Sequence, residues 1–139
     1  MSKDSIVPEN FSITNGYGVF RPVTDAPLHV CVAMIDDVID YCRTNKISKL
    51  LVDIYGLTGF PSPSLVDRFW IFCKWAATAQ GQVIMAMVAP PEMILPDKFG
   101  VTMGLNRGFR SNAFSDEAES VAWLLAAKDP PVHALHHGN

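Results

Sequence analysis

Two short apolar runs, separated by a segment of helix length, most limit what this chain can fold into. "SKLLVDIY" (48–55) and "QVIMAMVA" (82–89) are brief and aliphatic. That is how a strand reads when both of its faces are covered. Between them, "PSLVDRFWIFCKWAATAQ" (63–80) has the length and apolar spacing of a helix. A strand–helix–strand unit implies a parallel pair joined by a crossover.

The rest of the chain extends that unit. "FSITNGYGVFRPVT" (11–24) reads as two strands around the turn dipeptide Asn15-Gly16. "DAPLHVCVAMIDDVIDYCRTNK" (25–46) reads as a helix, with Asp25 as its cap and Pro27 in its first turn. Leu28, Val32, Ile35, Val38, Ile39 and Cys42 make its apolar face. Residues 90–100 form a loop broken by prolines. "DKFGVTMGLNR" (97–107) reads as a helix closed by Gly108, and "FRSNAF" (109–114) as a short strand. "SDEAESVAWLLAAK" (115–128) reads as a last helix, capped by Ser115, with Asp116 and Glu117 in its first turn.

The resulting order is β-β-α-β-α-β-α-β-α. It predicts a single α/β domain over 11–128, with a mixed, mostly parallel sheet of about five strands and about four helices. Residues 1–10 and 129–139 read as flexible ends. A length of 139 residues fits one domain with a real core.

Composition narrows the function classes. A net charge of −3 supplies no basic field for nucleic acid or an anionic membrane surface. No apolar run approaches the ~20 residues of a membrane span. The N-terminus has no apolar stretch of a secretory signal. Cys31, Cys42 and Cys73 are odd in number and lack CxxC spacing, which fits reduced thiols in a cytoplasmic protein. The chain has no GxSxG, P-loop or GxGxxG motif. Asp36 and Asp37 are adjacent on a helix and point apart. No nucleophile–base pair can be assembled from spacing, so an enzyme is not expected, and no cofactor is implied.

"LLVDIYGLTGFPSPSL" (50–65) carries the one recognisable pattern: an apolar strand ending in Asp53, a glycine turn, and serines at a helix start. With "GFRSNAFSDEAESVAWL" (108–124) it resembles the STAS family, the fold of bacterial anti-sigma factor antagonists. "GLTGFP", "MVAPPE" and "NRG" resemble its SpoIIAA-like branch. The resemblance implies a non-catalytic regulatory module that binds a protein partner of kinase or anti-sigma type. Ser62 falls at the family's phosphoacceptor position. Pro61 stands where the family has Asp, and Ser64 where it has Gly. The implied partner surface is Gly59, Phe60, Ser62, Ser64, Arg68 and Trp70. The branch's association with lipid-binding domains implies an alternative, a small-molecule or lipid-binding domain. That alternative predicts an apolar pocket between residues 60–70 and 90–96.

Several of these residues also have simpler readings. Ser62 before Pro63 has the order of a helix cap and its first residue, with Ser64 inside the helix. Asp53 serves either a ligand at the strand edge or the turn that follows. Thr58 fits local hydrogen bonding in that turn. Phe69, Phe72 and Cys73 fit one core face with Leu65 and Ala76. Trp70 lies ~100° from Phe69, so one of Trp70 and Trp75 should be peripheral. A peripheral tryptophan and the low charge content of 18% fit a homodimer or partner interface. Lys98, Arg107 and Arg110 fit favourable charge at a helix C-terminus better than an anion site. His29 reads as a surface residue. The tail histidines His133, His136 and His137 lack a supporting ligand, so no metal site is expected.

Overall fold

A computed structural model describes residues 6–130. The tail histidines and most of the tail lie outside the described residues, as do residues 1–5. The described chain is the expected α/β domain: four helices and a mixed, mostly parallel sheet of five strands.

Strands β1 (Phe11–Thr14) and β2 (Tyr17–Phe20) form the antiparallel hairpin, with Phe11 opposite Phe20. Asn15 and Gly16 both have positive φ, as a two-residue primed turn requires. Helix α1 (Leu28–Thr44) leads to β4 (Lys49–Asp53), which lies parallel to β2. Helix α2 (Leu65–Ala79) leads to β6 (Ile84–Val88), parallel to β4. A 3-10 turn (Pro91–Met93) and α3 (Phe99–Leu105) lead to β7 (Ser111–Phe114), parallel to β6. Helix α4 (Glu117–Ala126) follows.

The strands advance in one direction across the sheet. Crossovers of one hand therefore stack their helices on one face. On that face Ile35, Val38, Ile39 and Cys42 of α1 and Trp75, Ala76 and Ala79 of α2 pack on Leu50, Val52 and Met85. The last helix returns to the other face, where Leu124 packs with Leu51, Ile84, Ala86 and Val88. With both faces covered, β4 and β6 show no polar alternation.

The structure corrects the sequence reading in several places. Asp25 does not cap α1. It lies in β3 (Thr24–Asp25), which pairs parallel with β5 (Leu57–Thr58) as a separate two-stranded ladder. The Ala26 N–H donates to the Thr58 carbonyl at 2.9 Å, which holds this segment extended. Pro27 takes the cap position instead, without a side-chain bond. The turn after β5 needs Gly59: φ is +101°, and a Cβ there would meet Asp25 Oδ1 at 2.5 Å.

Helix α2 is capped by Ser64, not Ser62. The Ser64 hydroxyl accepts the Asp67 N–H at 3.1 Å, and Asp67 accepts the Ser64 N–H at 3.3 Å. Three residues after Ser62 stands Leu65, which cannot reciprocate. Likewise α4 is capped by Asp116, whose carboxylate accepts the Glu119 N–H at 3.0 Å. Ser115 instead offers its carbonyl to the Tyr55 hydroxyl at 2.9 Å.

The first turns of α2 are less buried than expected. Leu65 is 56% exposed, so it is not a core residue, and Val66 is 65% exposed. Trp70 is the peripheral tryptophan at 64%, and Trp75 is buried. Phe69, Phe72 and Cys73 are half-buried. Only the later turns of α2, at Trp75, Ala76 and Ala79, are fully buried.

Candidate functional site

The C-terminal ends of β4 and β6, the helices α1 and α2, and the proline segment frame a partly open cavity of about 90 Å³. Ile54, Met87 and Ala89 line it from the sheet ends, and Cys31, Val32 and Ile35 from α1. Ile71, Phe72 and Trp75 line it from α2. Met93, Ile94 and Leu95 line it from the proline segment, and Phe60 from the β5–α2 loop. It lies between residues 60–70 and 90–96, where the ligand-binding alternative expects a pocket.

Local chemistry fixes these walls. The Trp75 indole N–H donates to the Val32 carbonyl at 3.2 Å and ties α2 to α1. The Phe72 ring meets Trp75 edge-on, with 5.2 Å between ring centroids. Helix α3 approaches Phe72 so closely that a Cβ on Gly100 would stand 2.7 Å from the ring. Three prolines (Pro90, Pro91, Pro96) keep the 90–96 segment out of regular structure beyond its one 3-10 turn.

Among the described residues no acidic side chain lines the cavity, but two cationic ones do, Arg68 and Lys98. Arg68 bridges the surface end. Its Nε donates to the Pro63 carbonyl at 3.0 Å, Nη1 to Met93 at 2.8 Å and Nη2 to the Ser62 hydroxyl at 3.0 Å. It has no carboxylate partner among the described residues. Burial lowers its pKa. The Lys98 ammonium is engaged elsewhere, donating to Asn112 Oδ1 at 2.6 Å and lying 4.8 Å from the Phe114 ring centroid. Cys31 also lines the cavity; its thiol donates to the Ala26 carbonyl at 3.8 Å, and burial raises its pKa.

The six residues of the expected partner surface divide. Phe60 and Arg68 belong to the cavity. Ser62 is exposed and bonded to Arg68, Ser64 caps α2, and Gly59 forms the turn. Trp70 stands apart on the outer face, against Phe69. Arg107 covers the Phe69 ring at 5.1 Å. Asp53 serves its turn: it accepts the Tyr55 N–H at 3.0 Å.

Asp53 also receives Arg21 at 2.9 Å, and Arg21 grips both oxygens of Glu117 at 2.7 and 2.8 Å. Sequence reading missed this cluster. Its one local signal is the pairing of β2 with β4, which sets the residues after Phe20 and Val52 side by side. Among the described residues no group of three His, Cys, Asp or Glu side chains is placed to hold a metal. No helix of the described residues is long and apolar enough to cross a membrane. Comparison with family models, with curated proteins and with solved structures gives no match for the chain.

Proposed function

We propose that this chain is a binding module without catalytic chemistry, and that its cavity takes a small apolar ligand. The carrying observation is the near-continuous apolar lining between α1, α2 and the proline segment. Burying apolar ligand surface there is favourable by ~25 cal/mol per Å² before the costs of association. Native mass spectrometry of protein purified from its own host tests this. A discrete added mass is expected, and Ala113→Leu, which fills space from β7, should remove it. Protein that carries no added mass, and takes up none from a panel of apolar compounds, would sink the reading.

A second reading has its own observation: Leu65, Val66 and Trp70 are all exposed on the first turns of α2. Such a patch suits a protein partner or a second copy of the chain. It goes with the STAS-like regulatory role, in which Ser62 accepts phosphate beside the Arg68 guanidinium. Three unbridged cysteines support a reducing, cytoplasmic setting. Phosphopeptide mapping over residues 56–74 and sedimentation at several concentrations test these points. An unmodified Ser62 in every growth state, together with a strictly monomeric chain and no captured partner, would leave the ligand reading alone.

A further inference from the structure

We infer that the ligand is an anionic single-chain amphiphile, an acyl carboxylate, with its chain in the cavity and its head group on Arg68. This rests on the ligand reading above and specifies its chemistry. The side chains that line the cavity are apolar except those of Arg68 and Lys98. Arg68 has no carboxylate near enough to pair among the described residues. Glu92, within the proline segment, and Asp97, directly after it, form no ion pair with Arg68.

Donor counting points the same way. A guanidinium has five N–H groups. Arg68 spends one on each of Pro63, Met93 and Ser62. One N–H remains on each of Nη1 and Nη2. A donor left on each terminal nitrogen is enough for a charge-assisted bond to a carboxylate oxygen. Ser62 is exposed, so this end of the guanidinium is at the surface and an anion reaches it without full burial.

Lys98 is the competing cation, and its geometry removes it. Ala113 lines the cavity, while Asn112 and Phe114 alternate with it along β7. The ammonium bonds Asn112 and lies over Phe114, so it is carried past the strand to the other face of the sheet.

The test is calorimetric binding of octanoate, octanol and octylammonium to the full chain freed of any bound ligand. Octanoate should bind at least about tenfold more tightly than octanol, the worth of a charge-assisted bond pair. Octylammonium should bind most weakly. Arg68→Met should lower octanoate affinity at least about tenfold more than it lowers octanol affinity, with circular dichroism showing that the variant is folded; an equal loss for both compounds overturns the head-group assignment. Lys98→Met should keep the octanoate preference. Equal affinity for octanoate and octanol in the unmodified chain overturns the head-group assignment while leaving the ligand reading standing. Binding of none of the three overturns both.

Discussion

Arg68 Nη1 donates to the Met93 carbonyl at 2.8 Å and joins α2 to a segment 25 residues further along the chain. The same side chain holds Pro63 and Ser62, so one guanidinium clasps both lips of the cavity. Replacing Arg68 with Met keeps the aliphatic contacts and removes all three bonds. Stability should fall by ~1–2 kcal/mol, as for loss of hydrogen bonds to a charged group near the surface. Lys should recover only part, because a point charge cannot reach three acceptors as a planar fork does. Urea denaturation of the three proteins measures this. A midpoint unchanged in Arg68→Met would mean that the clasp contributes nothing.

The two serines before α2 separate by the same method. Ser64→Ala breaks the reciprocal pair with Asp67 and should cost ~1 kcal/mol. Ser62→Ala removes only an acceptor for Arg68 at an exposed position and should stay within ~0.5 kcal/mol. The reverse order would return the cap to Ser62.

These serines also show what the sequence could and could not convey. The strand–helix order was legible because both faces of the sheet are covered, which writes β4 and β6 as unbroken apolar runs. Helix α1 was legible from its six regularly spaced apolar positions. The caps of α1, α2 and α4 each stand one or two residues beyond the position the sequence suggests: the β3–β5 ladder keeps Asp25 extended at α1, a reciprocal bond with Asp67 selects Ser64 at α2, and Asp116 rather than Ser115 accepts the Glu119 N–H at α4. The ladder of β3 with β5 has two residues per strand and no period to read. The exposure of Leu65 was hidden because apolar spacing continues to the first turn of α2, where little covers it. The cavity's position was legible in part: prolines after β6 keep a segment from packing regularly against α2. The clasp by Arg68 and the grip of Arg21 on Glu117 were not, because each joins residues remote in sequence through side chains alone.

The cysteines should differ in reactivity. Cys42 is wholly buried, and desolvation pushes its thiol up to about 12. Almost no thiolate forms at neutral pH, and reagent has no access. Cys73 is half-buried on α2. Alkylation by iodoacetamide in the folded state should mark Cys73 first and Cys42 only after denaturant is added. Peptide mapping over a time course reads the order. Labelling of Cys42 at the rate of Cys73 would mean that α1 opens readily from the sheet.

The Arg21–Glu117 contact gives the domain a defined acid sensitivity. The Arg21 guanidinium, bonded to both carboxylate oxygens, holds Glu117 below its usual range. A depressed carboxylate stabilises the fold fully above its unfolded value, near pH 4.5, and the gain is lost as pH falls through the folded value. Nearly half of each side chain is exposed, so the contact is worth only ~0.2–1 kcal/mol and is screened by salt. Glu117→Gln should therefore be less stable than the unmodified chain at pH 7, with the gap closing toward pH 3. Added salt at pH 7 should narrow the same gap. Urea midpoints at the two pH values, with and without salt, provide the measurement. A gap that stays constant from pH 7 to pH 3 would show that Glu117 acts through packing or helix capping and not through its charge on Arg21.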